Sequence, residues 1–124
     1  MEKPYQIGPR TFLFSCEVIR TFPKTRLDTP SLKVWSQLIA AATSSGAHVE
    51  EAAAGSTRRH FLSLMRGALR EMRESNCWLR ILTTTRLAGF RDAQQLVQES
   101  DELVAILTTI VRRTYESGNA PDER

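Results

Sequence analysis

Apolar side chains along this chain recur at steps of three and four, and no strand-length run alternates them with polar ones. That pattern predicts helices and no sheet. The first segment runs from Arg10 to Phe22, with Phe14, Val18 and Phe22 four residues apart and Ile19 widening the stripe. Pro23 stops it, because proline cannot extend the hydrogen-bond ladder. A short polar connector, Pro23 to Asp28, leads to Thr29-Pro30, where threonine reads as an N-cap and proline as the first helical residue.

The second helix carries Trp35, Leu38, Ile39, Ala42, Val49 and Ala53 on one side. Ser44-Ser45-Gly46 interrupts it, and the helix either ends there or continues through His48-Val49-Glu50-Glu51-Ala52 to Gly55. Continuation preserves the spacing of Ala42, Ser45 or Gly46, Val49 and Ala53, so a continuous helix is expected. Its small residues would admit a neighbouring helix closely. Gly55 then closes the helix in a left-handed conformation, and Ser56 or Thr57 caps the next.

The third helix is the most regular, with Phe61, Met65, Ala68, Met72, Ser75, Leu79 and Leu82 alternating steps of four and three, as in a bundle seam. Leu64, Trp78 and Ile81 broaden it. Leu87-Ala88-Gly89 reads as a tight turn, which sends the fourth helix back antiparallel from Asp92 to Tyr115. Leu96, Ser100, Leu103, Leu107, Ile110 and Thr114 form its seam, flanked by Val97, Val104 and Val111. The expected fold is all-α: an antiparallel up-down four-helix bundle over residues 10–117. An N-terminal arm, 1–9, precedes it, and a disordered polar tail, 118–124, follows.

Length and composition agree with this. The 124 residues suit one domain, and no stretch approaches the roughly 20 apolar residues that span a bilayer. Met1-Glu2-Lys3-Pro4 shows no basic region followed by an apolar run, so no secretory leader is expected. Cys16 and Cys77 form no CxxC pair and read as reduced, half-buried thiols of a cytoplasmic protein.

Charge changes the picture. The net charge is +3, but residues 1–57, 58–91 and 92–124 contribute +1, +6 and −4. Arginine outnumbers lysine 14 to 3, which suits bidentate phosphate contacts and would equally follow from a GC-rich genome. On the third helix Arg59, Arg66, Arg70, Arg73 and Arg80 fall within an arc of about 80°, nearly opposite the seam, and span about 30 Å. A nucleic-acid strand presents phosphates at such intervals, whereas a plain solvated face, with Arg70 and Glu74 paired, would look the same in sequence. No aromatic residue lies within the stripe, and that argues against base stacking.

Other chemistry finds less support. His48 shares a face with Glu51, but Ala52 stands where a zinc-protease motif needs its second histidine, so no metal or other cofactor is expected. There is no GxSxG elbow and no glycine-rich phosphate loop. Cys77 lies near Arg73 and Arg80, which favour a thiolate, although an incidental thiol fits equally. Met65 and Met72 read as core fillers. The apolar stripes are wide for so small a bundle, with Trp35, Leu64 and Trp78 expected beyond the central seam. That predicts self-association. Glu51 is expected to pair with an arginine across the bundle or between subunits.

Gln37-Leu38-Ile39, Thr43-Ser44-Ser45-Gly46-Ala47-His48-Val49-Glu50-Glu51-Ala52, Arg59-His60-Phe61 and Glu74-Ser75-Asn76-Cys77-Trp78-Leu79 occur in this order. Together they resemble the bacterial four-helix-bundle proteins encoded in intervening sequences of 23S ribosomal RNA genes. The resemblance covers roughly residues 10–115. His48 stands where asparagine is usual, and His60 replaces a common acidic residue. The resemblance implies an antiparallel bundle assembled as a homopentameric ring. It also implies a likeness to the accessory variability protein of diversity-generating retroelements, a basic pentamer partnering a reverse transcriptase and nucleic acid. No site residues come with it. Residues and resemblance lead to the same expectation: a non-enzymatic, oligomeric, cytoplasmic protein that binds nucleic acid, RNA in preference, through the five arginines. The alternative is a scaffold whose arginines dock an acidic protein partner.

Overall fold

The computed structural model describes residues 6–55, 57–87 and 93–119. They form four helices and no strand: α1 (Ile7–Thr21), α2 (Thr29–Ala53), α3 (Arg58–Thr85) and α4 (Ala93–Asn119). Each helix packs on the next, and α1 closes on α4. The contacts give the direction of each. Ser15 meets Ala42 while Phe22 meets Trp35, so α1 and α2 are antiparallel. Asn76 meets Asp101 while Arg66 meets Tyr115, so α3 and α4 are antiparallel as well. The molecule is the expected four-helix bundle.

The helix ends follow local chemistry. α1 begins at Ile7, ahead of the expected Arg10, because Pro9 sits in the first turn, where the missing N–H would have no intrahelical partner. Asp28, not Thr29, caps α2: its carboxylate accepts from the Ser31 amide at 2.9 Å, and Pro30 is the second helical residue. α2 runs unbroken through Ser44-Ser45-Gly46. Gly55 adopts φ 95° and Thr57 caps α3, accepting from the His60 amide at 3.1 Å; Ser56 lies outside the described residues. α3 ends on Arg86 in the left-handed region, φ 57°. The predicted turn at Ala88-Gly89 and the start at Asp92 fall outside the described residues. α4 reaches Asn119, so Gly118, expected in the tail, is helical. A Cβ at Gly118 would run into the Arg58 guanidinium. Residues 1–5 of the expected arm and 120–124 of the tail also lie outside the described residues.

The core takes Phe14 and Val18 from α1 and Trp35, Leu38, Ala42 and Val49 from α2. From α3 come Met65, Ala68, Met72, Leu79 and Leu82, and from α4 Leu96, Leu103 and Leu107. Two positions differ from expectation by one step of the helical wheel. Ala52, not Ala53, is buried, and Ile19 faces outward at 51% exposure. Trp35 lies in the core at 0% exposure, not beyond the seam. Its ring meets Phe22 edge-on, with centroids 5.5 Å apart, and pins the α1–α2 corner.

Polar groups at the helix interfaces are paired, as burial requires. The Ser15 hydroxyl donates to the Ala42 carbonyl at 2.9 Å, and the Ser45 hydroxyl to the Ala68 carbonyl at 2.8 Å. Asn76 donates from its amide to Ser100 Oγ at 2.8 Å and to Asp101 Oδ1 at 2.9 Å, and accepts from Arg80 Nε at 2.8 Å. Arg10, its side chain only 11% exposed, holds both oxygens of Glu99 and one of Glu102. The hydrogen bonds Arg10 donates to Glu99 are the main influence raising its pKa, with desolvation opposing it.

Two outcomes follow. Asn76→Ala removes the donor shared by Ser100 and Asp101 and should cost about 1–3 kcal/mol in urea unfolding, whereas Thr84→Ala at an exposed position should leave stability unchanged. The Ser31 hydroxyl and amide hold the Asp28 carboxyl below its ordinary value. A folded-state pKa below the unfolded one adds stability above the unfolded value, and that contribution disappears as pH falls through the folded one. Asp28→Asn, which caps without titrating, should therefore flatten the acid limb of a melting-temperature profile relative to wild type.

Candidate nucleic-acid interface

Burial of the seam on α3 turns the opposite arc outward. Arg59, Arg66, Arg70, Arg73 and Arg80 are all exposed. Arg58 and Arg59 occupy the first turn, which holds no acidic residue, although the partial positive charge of a helix N-terminus favours anions there. Among the described residues Arg59, Arg70 and Arg73 have no carboxylate within ion-pair distance. The pairing of Arg70 with Glu74, open on sequence grounds, is not formed; Glu74 instead accepts from the Trp78 indole at 3.4 Å. Arg80 alone in the stripe donates a side-chain hydrogen bond among the described residues, from Nε to Asn76 Oδ1 at 2.8 Å.

Neighbouring helices place two more side chains beside the stripe, and neither is visible in the periodicity of α3. From α4, Tyr115 lies under Arg66, with the guanidinium carbon 5.5 Å from the ring centroid, the geometry of a cation–π contact. From α2, His48 lies over Gly67, where a Cβ would stand 2.8 Å from the imidazole. Nδ1 of His48 is 2.7 Å from the Ser44 carbonyl, so this nitrogen carries the proton and donates. Together His48, Gly67, Arg59, Arg66 and Arg70 border an open hollow of about 430 Å³ between α2 and α3. Leu62, Ser63 and Leu64 complete the lining, so the hollow joins three arginines to an apolar strip, and its cationic rim suits a phosphate oxygen.

The other predicted positions separate. Leu64 and Trp78 are half-buried and pack against the core, while Glu51 is exposed and without an ion pair among the described residues. Outward-facing apolar surface sits instead on α1 and the start of α2, at Phe12, Leu13, Ile19 and Leu32, each more than half exposed. The signal for it was present: Phe12 and Leu13 fall off the Phe14–Val18 stripe. Cys77 is exposed on the arginine face rather than half-buried, while Cys16 is half-buried; both are free thiols. No group of three or more histidine, cysteine or acidic side chains arranged for a metal occurs among the described residues. No described helix is long and apolar enough to cross a membrane.

Residues 5–109 match the 23S rRNA-intervening sequence protein family. A crystal structure of a protein with unknown function from the S23 ribosomal protein family of Bacteroides thetaiotaomicron superposes with a TM-score of 0.70. The two are 21% identical over 85% of this chain and 97% of that one, a likeness of fold. No curated protein matches the chain.

The packing of His48 on Gly67 has a direct test. Gly67→Ala should eject the imidazole and break its bond to Ser44, with helix content unchanged. The His48 ring resonances in a ¹H–¹⁵N spectrum should then move to those of a solvated histidine. Unchanged resonances would show that the ring does not lie on Gly67.

Proposed function

The chain belongs to the 23S rRNA-intervening sequence protein family, and from that premise we propose that it is a non-enzymatic, homo-oligomeric nucleic-acid-binding protein of the cytoplasm, with RNA as the preferred partner. The observation that carries this reading is the arginine face of α3. Arg59, Arg70 and Arg73 have no carboxylate partner among the described residues, whereas Arg10, on the opposite side of the bundle, is held by two. A ridge of like charges repels itself and is worth keeping where a polyanion neutralises it.

In this reading phosphates along one strand displace condensed counterions and meet Arg59, Arg66, Arg70 and Arg73 in turn. Arg80 contributes less, because Asn76 holds it. Self-association is supported by the exposed apolar side chains Phe12, Leu13, Ile19 and Leu32, which are costly to leave in water. A homopentameric ring, the assembly the sequence resemblance implies, would repeat the arginine face in every protomer. Weak contacts would then sum through effective concentration.

Four arginines on a single strand give a slope of log K against log salt of about −3 per engaged protomer. Fluorescence anisotropy with labelled RNA and DNA across a salt series should show that dependence with little sequence preference. Arg66→Glu/Arg70→Glu/Arg73→Glu, folded by circular dichroism, should not bind. Absence of wild-type binding even at low salt would overturn the reading and leave the arginines as a docking face for an acidic protein.

A further inference from the structure

We infer that the arginine face takes a single strand rather than a duplex, with Tyr115 stacking one unpaired base; this rests on the nucleic-acid reading above and specifies its ligand. The position of the ring carries the argument. Tyr115 belongs to the last turns of α4, yet it is 50% exposed while Ile110, Val111 and Thr114 turn toward the bundle. Its ring lies against Arg66, a member of the stripe, at 5.5 Å. α4 thereby supplies the aromatic surface that the arginine stripe itself lacks.

A half-exposed aromatic ring beside a guanidinium is the arrangement on which proteins stack splayed-out bases, since both the ring and the guanidinium plane accept a base face. Arg70 and Arg73 continue along α3 at rises of about 6 and 10 Å from Arg66. A strand whose base rests on Tyr115 therefore finds cations for the phosphates that follow. In a duplex the base faces are already stacked on one another, so only the phosphates remain for the protein. Tyr115 adds nothing there. The ring thus distinguishes strands by pairing, not by sequence, because every base has a face to offer.

The alternative role for Tyr115 is to hold α4 to α3 through Arg66, and the two roles separate by experiment. The probes are a labelled twelve-nucleotide oligouridine, the same length of RNA duplex, and the single strand with abasic sites. Wild type should prefer the oligouridine to both others. Tyr115→Ala should weaken oligouridine binding about five- to a hundredfold, leaving duplex affinity and the salt slope unchanged. Tyr115→Phe, which keeps the ring, should bind as wild type does. Equal weakening of single strand and duplex, or no change in either, would overturn the inference while the phosphate reading stands. Wild type binding oligouridine and the abasic strand equally would overturn it without any variant. Wild type binding none of the three would defeat the underlying reading and this inference together.

Discussion

The seating of α2 between α1 and α3 is the constraint from which the rest of the molecule follows. Ser15 and Ser45 donate across the two interfaces into the backbone carbonyls of Ala42 and Ala68. Such bonds form only where helix backbones come close, and small side chains allow that approach. At Gly46 a Cβ would already stand 3.0 Å from the Ser15 hydroxyl, and at Gly67 it would enter the His48 ring. Carbonyl oxygens have a second lone pair, so these bonds are added without breaking the helical ladder. Once Ala68 and Gly67 face α2, the rotation of α3 is set. The seam turns inward, and the arginines have nowhere to go but out.

Charge on the two sides of the bundle is handled in opposite ways. On the α1–α4 side, Arg10 is nearly buried and clamped by Glu99 and Glu102, closing the first helix on the last. Its pairing is structural and has no cation to spare. On the α3 side, Arg80 is shared with Asn76 and Arg66 with Tyr115, and the remaining stripe residues have no carboxylate among the described residues. Cations at the first turn of α3 also stand against the helix dipole. The proposed polyanion would supply the opposite sign that this face lacks.

Much of the architecture was legible because helical periodicity is a local property. The α3 seam, the continuity of α2 through its small residues and the break at Gly55 all follow from spacing and backbone chemistry within a few residues. Errors arose where two neighbouring residues satisfy the same rule. Asp28 and Thr29 are both good caps, Ala52 and Ala53 differ by about 100° on the wheel, and Pro9 concealed the first turn of α1. The width of the apolar stripe pointed Trp35 beyond the seam, whereas the corner beside Phe22 takes its ring into the core. The arginine stripe was readable from α3 alone. Its flanks were not, because His48 and Tyr115 reach it from α2 and α4, and no pattern within one helix reports a contact made across two.

The central claim, that nucleic acid lies along α3 between the His48 and Tyr115 flanks, is tested most directly by photo-cross-linking. Single-stranded RNA carrying 4-thiouridine would be irradiated with the intact wild-type protein and the adducts mapped by peptide mass spectrometry. The account predicts adducts concentrated between Arg59 and Arg73 and at Tyr115, with none on the apolar face of Phe12 and Ile19. Adducts confined to α1 and the start of α2, or spread evenly over the bundle, would contradict it.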